Sequence, residues 1–486
     1  MQRVLNLAEE VREQTTHLWN SVQFDARLFW HNINLHSFIL PCLVGIILGF
    51  FLLVSPMLAV VLSMGIIIVV LSVSKPVVLC YLLISVTILT SGIERGRWFP
   101  ILSVNEVSLL GAVAIVLTIV LIDKRRKIAI PKYFGMAFIV LIGGMVIIPI
   151  AIYLLQGTQL TMTNAFKMVS PIQYFLLFWI FTVLPESESD RRNLIWWMLA
   201  FGVIVAVIGL LQGLGIGFVN RLLDLLYASS HESMAARAGR ITSLLGAWNS
   251  LGIFMMTIFL ISWAVLFEID RLIGRLLIMG VMALSALCLI TSGSYAGIIG
   301  SVLGLFLLQI FSQRRTRSMP ILIIGFIGVI LAIFLFYPLL QPLIEKRLAY
   351  QFRVGGLIPQ TILYRFKVWR EIFIPAIQQH FPWPVYPTVP SYFAWQFEES
   401  QYILLLFRTG LVGFISFLVW IGLTIGWLNR CYQRSQGFNK AITSATITLV
   451  IMLVLTGFTN EVFSFAGSID YLWILLGLVA NSMVKT

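Results

Sequence analysis

Long apolar windows recur along almost the whole of this 486-residue chain and constrain its fold more than any other feature. Each window has roughly 17–25 residues, the length that crosses the hydrocarbon core of a bilayer as an α-helix. Hydrophobic residues make up 59% of the chain and charged residues 11%, so one water-soluble core cannot bury the apolar surface. The sequence therefore predicts an all-α fold, a polytopic transmembrane helical bundle of about 12–14 spans.

The predicted spans follow one another with short gaps. They lie near residues 37–54, 56–73, 75–91, 107–122, 134–155, 166–184, 194–216, 249–268, 274–291, 294–311, 320–341, 402–428, 441–458 and 467–484. No linker or low-complexity tract separates a second globular unit, so residues 37–486 are predicted to form a single membrane domain.

Residues 1–36 precede the first span and are predicted to form an amphipathic segment in the cytoplasm or at the membrane interface. Apolar residues recur there at helical spacing, at Val4, Ala8, Val11, Leu18 and Val22. The segment carries too many acidic residues and too short an apolar run for a signal peptide. A frayed tail is the alternative.

Short loops rich in Lys and Arg predict the orientation, because such loops stay preferentially in the cytoplasm. When the predicted spans alternate, these clusters share one side: Lys124 to Lys127, Arg191 with Arg192, Arg271 with Arg275, Arg314 to Arg317, and Arg430 with Arg434 and Lys440. That side, with both termini, is predicted to be cytoplasmic. The topology also accounts for most of the net charge of +13, so nucleic acid is not an expected partner.

Two long polar segments, 217–248 and 342–401, then fall on the opposite face of the membrane. The second contains a helical stretch whose period places Arg365 and Trp369 on one face. Four prolines follow within residues 381–390, which cannot form a continuous helix. We predict that the two segments form a partly helical periplasmic cap over a membrane cavity.

Arginine residues in these outer segments predict an anion site. Long outer loops largely escape the positive-inside bias, so Arg237, Arg240, Arg365 and Arg370 need another explanation. Guanidinium groups grip phosphate oxygens in a bidentate manner, and a lipid-linked diphosphate is a natural ligand at the outer leaflet. The alternative is that these side chains contact lipid headgroups or pair with nearby carboxylates.

Glu398, Glu399 and Ser400 stand directly before the predicted span 402–428. At least one carboxylate is expected at the membrane boundary, in a partly desolvated setting that suits a general base. The alternative is a solvated carboxylate in a loop.

Several other residues are polar or small at positions where that is unusual. Lys167 and Arg408 are costly in lipid and are expected to face a cavity or the outer interface. Asn460 and Glu461 form the remaining polar outer loop and are expected to cap helices. The glycine run 213–217 follows no strand, so close helix packing is favoured over nucleotide binding.

The cysteines and histidines predict neither disulfides nor a metal site. Cys42, Cys80 and Cys288 lie within predicted spans and Cys431 lies in a predicted cytoplasmic loop. The five histidines lack metal-ligand spacing. No bound metal or other cofactor is expected.

The segment that begins at Glu399 has a recognisable frame. Glu399-Ser400 is followed by nine residues and then by Gly410-Leu-Val-Gly413. This frame resembles the O-antigen ligase and O-antigen polymerase superfamily, which are polytopic glycosyltransferases of the GT-C type. Ligases of that family carry a His, then Asn, Ser or Gln, nine residues and Gly-x-x-Gly, so Glu399 stands here in place of the histidine.

Three further stretches resemble features of the same family: Arg240 with Gly246 to Gly252, Ser292 to Gly297, and Arg365 with Trp369. Tyr295 is a second departure, because many members have Ser-Arg at that place. The likeness spans roughly residues 130–480 of the sequence.

The resemblance implies transfer of a glycan from undecaprenyl diphosphate to a hydroxyl of a sugar or glycolipid acceptor, with inversion and without a metal. The reaction would take place at the periplasmic face of a bacterial inner membrane, with a flippase and a chain-length regulator as further partners. The missing histidine favours polymerase-like members over ligases.

The matched positions imply that Glu399 is the catalytic base and that Arg240 and Arg365 hold the diphosphate. Arg237 and Arg370, from the same outer segments, are further candidates for binding the diphosphate. Lys167, Arg408, Ser400 and Tyr295 are candidates for supporting roles.

Two other functions share the polytopic architecture. A secondary transporter, for example of inorganic carbon or another small anion, should carry ionisable groups near the midplane, where this sequence is almost free of charge. A peptidoglycan glycosyltransferase would share the donor lipid but fits the Glu399-Ser400 frame and the Arg240 to Asn249 stretch less well.

Overall fold

The computed structural model describes residues 68–93, 102–123, 130–158, 160–226, 240–311, 341, 360–395, 397–465 and 467–484. The chain divides into two units, residues 1–74 and 75–486, and every element below belongs to the second. The segment 1–36, the window 37–54 and all but one residue of the window 320–341 lie outside the described residues.

The described part of the chain is helical and contains no strand, which confirms the all-α prediction for these residues. The helices are α1 (Val77–Thr90), α2 (Val104–Ile122), α3 (Lys132–Ile142), α4 (Ile148–Leu155), α5 (Met162–Met168), α6 (Ser170–Val183), α7 (Glu188–Gly213), α8 (Gly217–Leu226), α9 (Trp248–Leu266), α10 (Leu272–Ser292), α11 (Tyr295–Phe311), α12 (Gln360–Val368), α13 (Ile374–His380), α14 (Gln401–Arg434), α15 (Gly437–Thr456) and α16 (Ser468–Val484). Two π-helical turns, Gly143–Ile147 and Trp369–Phe373, join α3 to α4 and α12 to α13.

Seven helical stretches are long and apolar enough to cross a membrane, and each overlaps a predicted span. They are Val104–Leu121, Lys132–Leu155, Glu188–Gly213, Trp248–Leu266, Leu272–Ser292, Gln401–Arg434 and Gly437–Thr456. The shorter apolar helices α1, α6, α11 and α16 coincide with four more windows. The helices of the described residues are thus compatible with a multi-pass membrane protein, and the total of about 12–14 spans stays a prediction.

Exposed apolar side chains on the outer helices fit a lipid environment. Leu121, Ile139, Leu155 and Ile310 are each at least 71% exposed. A helix that is apolar on its outward face as well as its inward face is stable where lipid replaces water.

Helix α9 is the centre of the bundle, and glycines allow α11 to approach it closely. A Cβ atom on Gly297 would lie 2.6 Å from the Gly252 carbonyl oxygen, and one on Gly300 would lie 2.4 Å from the Met256 Sδ. A Cβ on Gly304 would meet Leu260 at 2.7 Å. Small residues spaced along one face are the usual means by which membrane helices pack without a hydrophobic driving force between them.

Polar contacts join helix termini at one end of the bundle. Arg191, in the first turn of α7, donates to Asn481 near the end of α16 at 2.9 Å and to Asn439 near the start of α15 at 3.3 Å. Arg191 thus lies buried within α7 and not in the short loop that the sequence predicted, whereas its predicted cytoplasmic side stays a prediction. At the opposite end, the first residue of α14 donates its backbone N–H to the Gly457 carbonyl after α15.

Two further sequence expectations are corrected by the structure. The glycine run 213–217 forms a turn between α7 and α8, in which Gly215 has a φ of +73°. A Cβ atom on Gly215 or Gly217 would meet nothing within 4 Å, so these two glycines serve the turn rather than close packing. Cys431 lies buried within α14 and not in a loop.

Helix α14 is interrupted at Gly410, whose φ of 67° and ψ of −168° are not helical. The proline-rich segment 381–390 occupies the break. The backbone N–H of Leu411 donates to the Pro382 carbonyl at 3.0 Å, and the N–H of Val385 donates to the Phe407 carbonyl at 2.8 Å. The segment is not a continuous helix, as its prolines predict.

A small apolar cluster fixes the segment 360–400, which we call the cap segment, to α14. Val368, Phe373 and Val385 of the cap segment bury their side chains with Phe407 of α14. The rings of Phe373 and Phe407 meet edge to face with centroids 5.4 Å apart. The cap segment is therefore partly helical and packed against α14, whereas a periplasmic cap formed together with residues 217–248 stays a prediction.

Replacing Gly410 with Ala should destabilise the protein. The Gly410 backbone combines a positive φ with an extended ψ, a conformation that is essentially confined to glycine and costs another residue about 1–3 kcal/mol. The added Cβ would also lie 2.7 Å from the Pro382 carbonyl oxygen. Thermal unfolding in detergent can be followed with a thiol-reactive dye, because Cys80, Cys288 and Cys431 are buried.

The matched control is Gly426→Ala in the same helix, where a Cβ meets nothing within 4 Å. Its unfolding temperature should equal or slightly exceed that of the wild type. Equal effects of the two substitutions would contradict the described break.

Candidate functional site

The predicted catalytic residue lies in a strained turn. Glu399 has a φ of +57°, which is uncommon for a residue other than glycine. We call residues 398–400 the carboxylate turn; it leads directly into α14, for which Ser400 is the N-terminal capping residue. A left-handed glutamate persists only where its surroundings hold it, and such positions are found at functional sites more often than elsewhere.

A buried ion pair anchors the carboxylate turn to α14. Arg408 binds both oxygens of Glu398, through Nε at 2.5 Å and through a terminal nitrogen at 2.9 Å. Glu398 is fully buried, so the two hydrogen bonds and the positive charge replace the water that the carboxylate loses. The Arg408 carbonyl, two residues before the break, accepts a hydrogen bond from the Tyr153 hydroxyl at 2.8 Å.

The cap segment reaches the carboxylate turn through the two residues that were predicted to share a helical face. Arg365 Nε donates to Glu399 Oε2 at 2.9 Å, and both side chains are partly exposed. Trp369, one turn later, donates its indole N–H to the Glu398 carbonyl at 2.8 Å. The Arg365 guanidinium therefore contacts the residue that the sequence predicts to be the base. This partner is not one of the carboxylates that the sequence offered as alternatives, Glu345, Glu371 and Glu398.

Glu461 also contacts the carboxylate turn. The sequence predicted only a helix-capping role for this residue and did not indicate this contact. Its Oε1 accepts the backbone N–H of Glu399 at 3.0 Å. Desolvation raises the pKa of Glu461 to about 8, and the nearby Glu398 charge adds to the rise, whereas Arg408 opposes it. In the sequence, the feature that could have indicated this role is the position of Glu461 directly after the polar residue Asn460, between two apolar helices.

A cavity lies beside the ion pair and combines cations with aromatic walls. It encloses about 750 Å³, including its open mouth. Lys167 and Arg408 both line it, which agrees with the expectation that these two residues face a cavity. Its apolar wall includes Tyr174, Trp420 and Trp473. A site of this kind suits a ligand with an anionic group attached to an apolar chain.

The other predicted site residues lie in different local settings. Arg240 stacks over the Trp248 ring at the start of α9, with its guanidinium carbon 4.7 Å from the ring centroid. Arg370 lies exposed in the π-helical turn after α12. Tyr295 is the first residue of α11, and Arg237 lies outside the described residues.

The Ser292 to Gly297 stretch serves helix packing. A Cβ atom on Gly252 would lie 2.2 Å from the Ser294 Cβ, so the start of α11 is pressed against α9. None of these contacts connects Tyr295 to the carboxylate turn.

Compared with known proteins, this chain matches no family model and no curated sequence. Within the described residues, no group of three or more His, Cys, Asp or Glu side chains is arranged to hold a metal ion. The site consists of two carboxylates paired with two guanidinium groups, a third carboxyl group with a raised pKa, and the cavity.

Removing the charge of Glu398 should strongly destabilise the protein. Glu398→Gln removes the charge from the buried carboxylate that Arg408, itself about one-quarter exposed, binds through two hydrogen bonds, and the loss of charge-assisted hydrogen bonds typically costs about 1.5–3 kcal/mol. Thermal unfolding of the purified variant in detergent is the measurement.

The matched control is Glu188→Gln, which removes the ion pair that Glu188 forms with Arg192 at 3.4 Å. Both side chains of that pair are about half exposed, so the change should be about 1 kcal/mol or less. A Glu398 variant as stable as this control would show that the pair does not anchor the turn.

Proposed function

We propose that this protein is a polysaccharide polymerase or ligase, which transfers a glycan from undecaprenyl diphosphate to a hydroxyl of a sugar or glycolipid acceptor. The observation that carries the proposal is the contact between Arg365 and Glu399 in a strained turn at the start of a membrane-spanning helix. This contact places a candidate general base, Glu399, beside an arginine, Arg365, that is a candidate for binding the diphosphate.

The position of Glu399 favours a reacting group over a purely structural one. Its side chain is about one-fifth exposed, so an acceptor hydroxyl can reach it while much of its surroundings excludes water. Arg365 contacts Oε2, and a guanidinium carries further N–H groups that can bind phosphate oxygens.

The cavity supports an amphiphilic donor. Lys167 and Arg408 line the cavity and would supply positive charge for the diphosphate, and its apolar lining would contact the prenyl chain. A diphosphate held at this place would lie between the cap segment and α14, because both contribute residues beside the carboxylate turn.

The proposed reaction is a single inverting displacement. The acceptor oxygen attacks the anomeric carbon while its proton passes to the Glu399 carboxylate. The bond between the anomeric carbon and the diphosphate oxygen breaks, and its electron pair leaves with the diphosphate. Arg365, with Arg240, Arg237 and Arg370 as further candidates, would stabilise the charge that grows on the leaving group.

The proposal includes a location. The protein would lie in a bacterial inner membrane with both termini in the cytoplasm, so that the cap segment faces the periplasm. The carboxylate at position 399, in place of a histidine, favours a polymerase. A flippase would then supply the donor, and a chain-length regulator would act on the product.

Replacing Glu399 with Gln should abolish transfer while leaving donor binding, because the amide keeps the shape but cannot accept the proton. General-base removal lowers rates by roughly 10²- to 10⁴-fold, and Arg365→Ala should reduce transfer to a similar extent. The measurement is the surface and carrier-linked glycan profile of cells that lack the protein and are complemented with each variant.

The control variant is Glu371→Gln, which removes an exposed carboxylate from the cap segment and should support normal glycans. Immunoblots establish that all variants reach the membrane in equal amounts. Loss of long glycans with accumulation of single carrier-linked units, rescued by wild type and Glu371→Gln only, supports the polymerase. Full activity of Glu399→Gln would exclude this residue as the base.

A secondary transporter of a small anion is the second candidate, and one observation favours it. A carboxyl group with a raised pKa beside an ion pair and a cavity is also what a proton-coupled transporter requires. Bicarbonate uptake in the same strains separates the two functions. Unchanged glycans together with impaired uptake would overturn the glycosyltransferase and establish the transporter.

A further inference from the structure

We infer that Glu461 is a positioning residue that holds Glu399 in its left-handed conformation, and that it does so as a neutral carboxylic acid. The role in catalysis rests on the proposed function, whereas the neutral state can be tested without it.

The geometry makes Glu461 a support for the Glu399 backbone. Its Oε1 accepts the N–H of Glu399, and this bond fixes the peptide that enters the strained residue. Glu461 itself is held in place, because its carbonyl accepts the Ser464 N–H at 2.8 Å. The neighbouring Phe463 N–H donates to the Gln401 side chain at 3.1 Å, which ties this loop to the start of α14.

The surrounding charges favour a neutral Glu461. Glu398 and Glu399 are balanced by Arg408 and Arg365, so the two ion pairs leave no positive charge over for a third carboxylate. An ionised Glu461 would repel Glu398 and Glu399 while it competed for Arg408.

The other ionisable groups near this loop do not change that balance. Tyr153 donates its hydroxyl to the Arg408 carbonyl. Asp470, on α16, accepts the Gly467 N–H at the far end of the loop and adds no positive charge. Lys167 lines the cavity together with Arg408, but it is not among the charges with the largest effect on the pKa of Glu461. Because the pKa of Glu461 is raised to about 8, the carboxyl is mostly protonated at pH 7.

The sign of the pH dependence follows from the raised pKa. The unfolded chain loses the Glu461 proton near the ordinary glutamate value, whereas the folded protein keeps it up to about pH 8. The folded state is therefore penalised increasingly as the pH rises from about 4.5 to about 8, and the penalty is constant above that. Gln cannot titrate, so Glu461→Gln removes this penalty.

The first test compares unfolding temperatures of wild type and Glu461→Gln in detergent from about pH 5 to about pH 9. The stability advantage of the Gln variant should grow up to about pH 8 and then level off. Glu371→Gln, measured in parallel, gives the baseline for an exposed carboxylate. A difference between wild type and Glu461→Gln that does not change with pH would overturn the neutral state, whatever reaction the protein performs.

The second test measures glycan transfer by purified protein in lipid nanodiscs over the same pH range. Glu461→Ala should lower transfer at least about tenfold at neutral pH, because Glu399 loses its backbone acceptor. Glu461→Gln should keep most of the wild-type transfer, because its amide oxygen can still accept the Glu399 N–H. Wild-type transfer should decline above about pH 8, where Glu461 ionises and repels Glu399, and this decline should be absent from Glu461→Gln.

Two outcomes would overturn the positioning role. If Glu461→Gln is as inactive as Glu399→Gln, Glu461 itself takes the proton. If Glu461→Ala keeps wild-type activity and pH profile, the contact with Glu399 has no role in transfer. Absence of transfer by the wild type would count against the proposed function alone, since the unfolding experiment would still decide the state of Glu461.

Discussion

An α-helix that is interrupted among apolar neighbours must find partners for the backbone groups that its break releases. In α14 the break is at Gly410, and the proline-rich segment supplies those partners through Pro382 and Val385. The same break lies two residues after Arg408, which binds Glu398 in the turn before the helix. The carboxylate turn is therefore held by a residue next to the interruption in α14, and the proline-rich segment stabilises that interruption through backbone hydrogen bonds.

Charge is tolerated in this part of the protein because it occurs in pairs. Glu398 with Arg408 and Glu399 with Arg365 are neutral combinations, one fully buried on the carboxylate side and one partly open. The partly open pair is accessible from outside the protein, whereas the other pair connects the carboxylate turn to α14. Desolvation and the Glu398 charge raise the pKa of a third carboxyl group, Glu461.

Much of the architecture was predictable because a helix that crosses the hydrocarbon core of a bilayer needs about 20 mostly apolar residues. Spans such as 134–155 and 274–291 agree with the observed helices to within a few residues, since apolar length alone sets them. The cap segment was predictable from its prolines. Arg191 was misassigned because hydropathy cannot distinguish a basic residue in a loop from one buried by partners on other helices.

The sequence by itself determined that this is a helical membrane protein, that residues 381–390 interrupt helical structure, and that polar residues gather around 398–400. Only the tertiary structure decided which carboxylate pairs with which arginine and that Glu461 joins them from a loop 62 residues away. Ion pairs and pKa values depend on distance and burial between segments far apart in the chain. Periodicity and composition carry no information about such contacts.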